Sequence, residues 1–261
     1  MCGDGADRCQ SVGMPMVVSQ PERAAVSVRC QDSLDEIRTE WECAPLDILI
    51  GAAPWRTFRW RRGQKHYSGT YWSSTEQRHV IYESRLELTR LLFADFDPQV
   101  RRIVAQPFLL RASVERRERK HVPDYLLLTD DGPIVVDVKP HARLASSKIS
   151  YTLDWTRRLV EQRGWRYEVW SEPPEPELAN VRFLAGFRNQ KCFSPALLGE
   201  LRRRDDLPGR TLGEACTGYA GWPAPVVRSA ILHLVWRNNL AIDITRPLRP
   251  TSILRKGSDR G

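Results

Sequence analysis

The order of periodic segments between Tyr82 and Glu172 constrains this chain more than any other feature of it. YESRLELTRLLFADF sets Leu86, Leu88, Leu91, Leu92 and Phe96 at mostly helical spacing, which predicts an amphipathic helix ended by Pro98. Glu83 is expected in its first turn, where the peptide dipoles favour a carboxylate. RRIVAQPFLLRASV, KHVPDYLLLTDD and GPIVVDVKP then read as three successive strands, with turn residues at Asp130, Asp131 and Gly132. SSKISYTLDWTRRLVEQRG predicts a second helix closed by Gly164, and WRYEVWSE a further strand. The order is αβββαβ, and the fold class it predicts is α/β.

The flanks are less regular. The first 30 or so residues are rich in Gly, Ser, Asp and Arg without apolar periodicity, so residues 1–44 are expected to form a poorly ordered or variable extension. An α/β domain is expected over 45–178, up to the Pro-rich break PPEPE. The chain from 179 to 250 reads as a small helical domain. Its segment TLGEACTGYAGWPAPVVRSAILHLVWRNNLAIDIT offers a short helix, a Gly/Pro turn, a longer helix carrying Val227, Ile231, Leu234 and Val235, and a strand-like end. That order suggests a helix-turn-helix or winged-helix-like module. Residues 251–261 are expected to be a flexible tail.

The formal charge of +8 is unevenly spread: residues 1–80 carry 10 Lys and Arg against 10 Asp and Glu, while 81–261 carry 30 against 22. A basic surface lowers the cost of approaching a phosphate backbone, because Lys and Arg displace its condensed counterions. Between Pro54 and Trp72, aromatic and basic residues interleave, a composition that suits both stacking on bases and the edge of a hairpin. The cysteines at 2, 9, 30, 43, 192 and 216 form neither a CxxC pair nor a disulfide framework, and no histidines stand near them at zinc-ligand spacing. No apolar run approaches a membrane span, and no charged segment leads into an apolar one as in a signal peptide. A soluble, cytoplasmic protein is expected.

The candidate chemistry lies in the predicted strands. Asp124 follows Pro123 on one strand, and Asp137 and Lys139 lie on the next. In an antiparallel hairpin Asp124 and Asp137 become neighbours across the ladder, and alternation turns Asp137 and Lys139 to the same face. Asp137 also interrupts the apolar run Ile134 to Val138, where an ionised group needs a partner to offset its desolvation. Converging carboxylates suit Mg²⁺, which prefers oxygen ligands and keeps several waters. Such a cation polarises a phosphoryl oxygen and supplies hydroxide near neutral pH, while a lysine orients water or neutralises developing charge. Glu87, Gln106, His121 and Lys148 are weaker candidates, each more commonly a packed or solvated residue.

Glu83 on the leading helix, PD at 123–124 and DVK at 137–139 together resemble the pattern of the PD-(D/E)xK nuclease superfamily. Within it the chain looks most like TnsA, the endonuclease subunit of heteromeric transposases, over roughly residues 50–250. Some TnsA members carry Gln at the position of Asp137, whereas Asp is the superfamily's general choice. The resemblance implies a restriction-endonuclease-like core and a Mg²⁺-dependent enzyme, with Mn²⁺ as a substitute, that cuts the 5′ ends of a transposon in double-stranded DNA. Glu83, Asp124 and Asp137 would be metal ligands and Lys139 the catalytic lysine. The implied partners are an integrase-fold transposase and an AAA+ ATPase regulator, and the implied location is the nucleoid. The rival expectations are a stand-alone restriction or repair nuclease and a non-catalytic DNA- or protein-binding adaptor.

Overall fold

The computed structural model describes residues 23–31, 35–56 and 67–258. Its first element is a strand, β1 (Ala24–Cys30), followed by β2 (Glu36–Glu40), the single-turn helix α1 (Leu46–Ile50) and the two-residue strand β3 (Ala52–Ala53). Val26, Val28, Trp41 and Ala44 are all buried. Residues 24–30 and 36–44 are therefore built into the folded body, and the extension expected over 1–44 does not describe them. Residues 1–22, and 57–66 of the aromatic-basic stretch, lie outside the described residues.

A hairpin of β4 (Gly69–Ser73) and β5 (Arg78–Tyr82) leads into α2 (Arg85–Phe96). The helix begins later than the sequence suggests. Ser84 is its N-cap, taking the Glu87 amide on its hydroxyl, so Glu83 precedes the helix and Glu87 is the first-turn acid. The three predicted strands are five. RRIVAQPFLLRASV breaks at Gln106 and Pro107 into β6 (Val100–Ala105) and β7 (Leu109–Val114). Gln106 takes φ of 46°, a left-handed turn after which Pro107 offers no amide to the ladder. Next come β8 (Arg117–His121), β9 (Tyr125–Thr129) and β10 (Gly132–Val138), then α3 (Ser147–Gln162) and β11 (Arg166–Trp170). Gly164 after α3 has φ of 77°, the left-handed residue that stops the helix.

The strands sort into two main sheets. One has the order β11-β10-β9-β6, with β10 and β11 parallel and the other pairs antiparallel. The other has the order β2-β1-β7-β8, with β3 paired to β1. The hairpin β7–β8 is thus inserted between β6 and β9 of the first sheet, and with it set aside the order αβββαβ runs from α2 to β11.

Period-two alternation divides the core. Tyr125, Leu127, Val136 and Val138 join α2 residues Leu91 and Leu92 in one apolar cluster, while Leu126 and Val135 join Leu153, Trp155 and Leu159 of α3 and Trp41 in another. Each cluster removes several large side chains from water, at about 1.5–3 kcal/mol apiece.

The rest of the chain is α4 (Glu175–Ala185), α5 (Pro195–Arg202), α6 (Ala224–Trp236) and a small pair, β12 (Leu240–Ile242) and β13 (Leu254–Lys256). The PPEPE break opens α4, since proline is tolerated in a first helical turn. These helices do not enclose a core of their own. Val181, Leu184, Ile231 and Trp236 belong to the same cluster as Leu91 and Val136. Trp236 Nε1 donates to Ser74 Oγ at 2.8 Å, and Asn238 Nδ2 to the Phe96 carbonyl at 2.8 Å. The expected boundary near 178 is therefore no boundary in the core. The expected tail from 251 is likewise tied down, because Leu254 is fully buried and β13 pairs with β12. No helix among the described residues is long and apolar enough to cross a membrane.

Candidate active site

Asp124 lies at the mouth of β9, where the Asp124 amide donates to the Val136 carbonyl at 3.0 Å and thereby prolongs the β9–β10 ladder by one residue. The register that pairs Tyr125 with Val136 sets Asp124 opposite Asp137, as the hairpin expectation required. Lys139 Nζ donates to Asp124 Oδ2 at 2.9 Å and lies 3.7 Å from Asp137 Oδ1. The Val138 amide adds a second bond to Asp124 Oδ2 at 2.6 Å. The structure thus brings Asp124, Asp137 and Lys139 together at one end of the sheet.

Asp137 shares the sheet face of Val135, the face packed on α3, and is 0% exposed. Its charge is answered by two residues that local pattern could not assign. His121 Nε2, at the end of β8, lies 2.8 Å from Oδ1 and 2.9 Å from Oδ2, and the Tyr167 hydroxyl of β11 donates to Oδ2 at 2.5 Å. Burial alone would raise the pKa of Asp137, but His121, Lys139 and Tyr167 together outweigh it and hold the carboxyl below its ordinary value. Asp124 goes the other way. Burial and the Asp137 charge lift it above the usual carboxylate range despite Lys139 and the Val138 amide. Burial works against the Lys139 charge, but Asp124, Asp137 and Glu87 more than compensate, so the ammonium is held above its ordinary value and stays protonated.

Glu83 is not part of this group in the same way. Its Oε2 accepts from Arg56 Nη1 at 2.9 Å, and its side chain is 26% exposed. Glu87, set aside in the sequence as a solvated helix residue, is strongly perturbed: burial, then the Asp124 charge, push its carboxyl up to about 7. The S-x-x-E spacing of Ser84 and Glu87 was the available signal for its capping role, and nothing local signalled its burial. Gln106 is structural. Its amide donates to the Asp124 carbonyl at 2.9 Å, while its own carbonyl and Oε1 take the amides of Trp55 and Arg56.

No group of three His, Cys, Asp or Glu side chains in a metal-holding arrangement occurs among the described residues. The donor chemistry nevertheless fits a hard divalent cation at Asp124 and Glu87, since the Asp124 charge raises the proton affinity of Glu87, a repulsion a cation would relieve. Asp137 fits less well, being sealed from solvent with both oxygens already bonded. The four described cysteines, Cys30, Cys43, Cys192 and Cys216, are free thiols.

No protein-family model matches the chain, and no curated protein matches it significantly.

Proposed function

We propose that this chain is a divalent-metal-dependent DNA endonuclease. The observation that carries the reading is the convergence of Asp124 and Asp137 on the Lys139 ammonium at 2.9 and 3.7 Å, at a sheet end bordered by basic side chains. Within that class the reading is a TnsA-like subunit of a heteromeric transposase. Its support is the order of acid, PD strand and DVK strand, followed by a helix-rich C-terminal part.

Asp124, with Glu83 just before α2 and Glu87 in its first turn, would hold the cation, and Asp137 would join only on release of His121 or Tyr167. When bound, Mg²⁺ would polarise the phosphoryl group and make a bound water more acidic. The chain's own groups do the rest. Lys139, kept protonated by its two carboxylates, offers positive charge to a non-bridging phosphate oxygen as charge builds there. Asp124, more basic than an ordinary aspartate, orients the attacking water and accepts a hydrogen bond from it. Asp137 fixes His121 and helps to fix Lys139, so that neither has to be ordered during the reaction.

The test is nicking of supercoiled plasmid by wild type, Asp124→Ala and Lys139→Ala in Mg²⁺, Mn²⁺ or EDTA, with and without an integrase-fold transposase and an AAA+ ATPase. The reading requires metal-dependent nicking that both variants lose. Equal inertness of all three with partners present would sink it. The enclosure of Asp137, which is 0% exposed, favours a second reading, a DNA- or protein-binding adaptor whose acids serve the fold. Inert wild type that still binds DNA is its signature.

A further inference from the structure

Beside the carboxylates the surface forms a second concavity, of about 460 Å³, whose lining includes Arg29, Trp55, Arg56, Leu109, Lys120 and His121. No carboxylate is among its lining residues. Four separate parts of the chain build it: the end of β1, the segment after β3, the start of β7, and the end of β8. We propose that this pocket is a phosphate-binding subsite for the DNA strand that runs through the proposed cleavage centre. It rests on the DNA-cleaving reading and adds to it where the strand is held.

Its position is fixed relative to that centre by hydrogen bonds. Gln106 takes the Trp55 amide on its carbonyl at 3.0 Å and the Arg56 amide on Oε1 at 2.9 Å, and its own amide donates to the Asp124 carbonyl. Two lining residues are shared with the acidic group, because Arg56 pairs with Glu83 and His121 with Asp137. A strand lying over Asp124 and Lys139 therefore meets these pocket residues next.

The charges facing the pocket are unequal. Glu83 answers Arg56, and Glu118 lies 3.4 Å from Lys120, an exposed pair worth little in water. Arg29 has no carboxylate partner among the described residues. Its guanidinium lies 4.8 Å from the centre of the Trp55 ring, a stack that fixes the plane of its donors. An ordered, unneutralised guanidinium beside a lysine matches a phosphate, which accepts several hydrogen bonds at once. Ordinary solvated basic faces lack this convergence of four segments on one concavity.

The test uses the full chain and a fluorescein-labelled DNA duplex in EDTA, with anisotropy titrations over a salt series for wild type, Arg29→Ala, Lys120→Ala and Arg255→Ala. Arg255 is exposed on β13 and is not among the pocket residues. Thermal unfolding by circular dichroism is matched across the set. Each pocket variant is expected to weaken binding by roughly 3–10-fold at about 100 mM salt and to lower the log-log salt slope by about one, as loss of one phosphate contact does. Arg255→Ala is expected to match wild type. Pocket variants that track wild type in both affinity and slope overturn the subsite. Plasmid nicking on the same preparations separates the two ideas. Wild type that binds through the pocket but never nicks removes the cleavage reading alone. Wild type that nicks while the pocket variants bind normally removes the subsite alone. A wild type that binds no DNA removes both.

Discussion

His121 Nε2 is bonded to both oxygens of Asp137, at 2.8 and 2.9 Å, although the two residues belong to different sheets. The contact is the seam between the inserted hairpin and the strand that carries the candidate chemistry. Replacing His121 by Ala leaves a buried carboxylate short of a donor. The expected cost is about 2 kcal/mol of stability, the usual value of a hydrogen bond to a charged group. Urea unfolding measures it, and an unchanged midpoint would mean the seam carries no energy.

Lys139 answers for the charge of Asp124 directly, with only 25% of its side chain exposed. Lys139→Met keeps much of the apolar stem and removes the ammonium. On the proposed mechanism it lowers the single-turnover nicking rate by about 10²–10³-fold, as loss of one preorganised electrostatic group does. A rate within a factor of two of wild type would remove Lys139 from the chemistry.

Asp95 offers a contrast within the same fold. It is fully buried and accepts from the Tyr71, Ser73 and Ser74 hydroxyls and from the Ser74 and Thr75 amides. Asp95→Ala strands these donors at the joint between the β4–β5 hairpin and α2. A loss of roughly 3 kcal/mol or more is expected, because breaking a buried polar network costs the desolvation of each group left unpaired. The protein that remains folded should bind DNA as wild type does. Calorimetry and anisotropy on one preparation decide both halves.

His233 predicts the acid limb of stability. Its Nδ1 donates to the Phe187 carbonyl at 2.7 Å, its ring stacks on Phe193 at 4.7 Å, and its Nε2 is buried with no partner among the described residues. Burial is the main reason its proton affinity falls below the ordinary value of about 6.5. Below that value the unfolded chain binds the proton and the folded chain resists it. Stability therefore falls as pH drops through about 6.5, until the folded value is passed. His233→Phe should flatten the urea midpoint between about pH 7 and 5, and an unaltered slope would exclude His233 as the source.

The alternation of Val135, Val136, Asp137 and Val138 was readable in the sequence, and so was the meeting of Asp124, Asp137 and Lys139. Side-chain direction in a strand has period two, and a short turn fixes which residues face each other. The span of α3 and its stop at Gly164 were legible for the same reason, since caps and helical periodicity act within one or two turns. Partner choice between distant strands leaves no such mark. Only the tertiary structure folded β7–β8 out of the meander into a second sheet with β1 and β2, and so carried His121 to Asp137. It also buried Glu87 within the field of Asp124, gave Glu83 to Arg56, and merged the C-terminal helices into the core of α2 and β10. Each of these depends on what packs against a residue from far along the chain, where the energy comes from burial and charge rather than from local spacing.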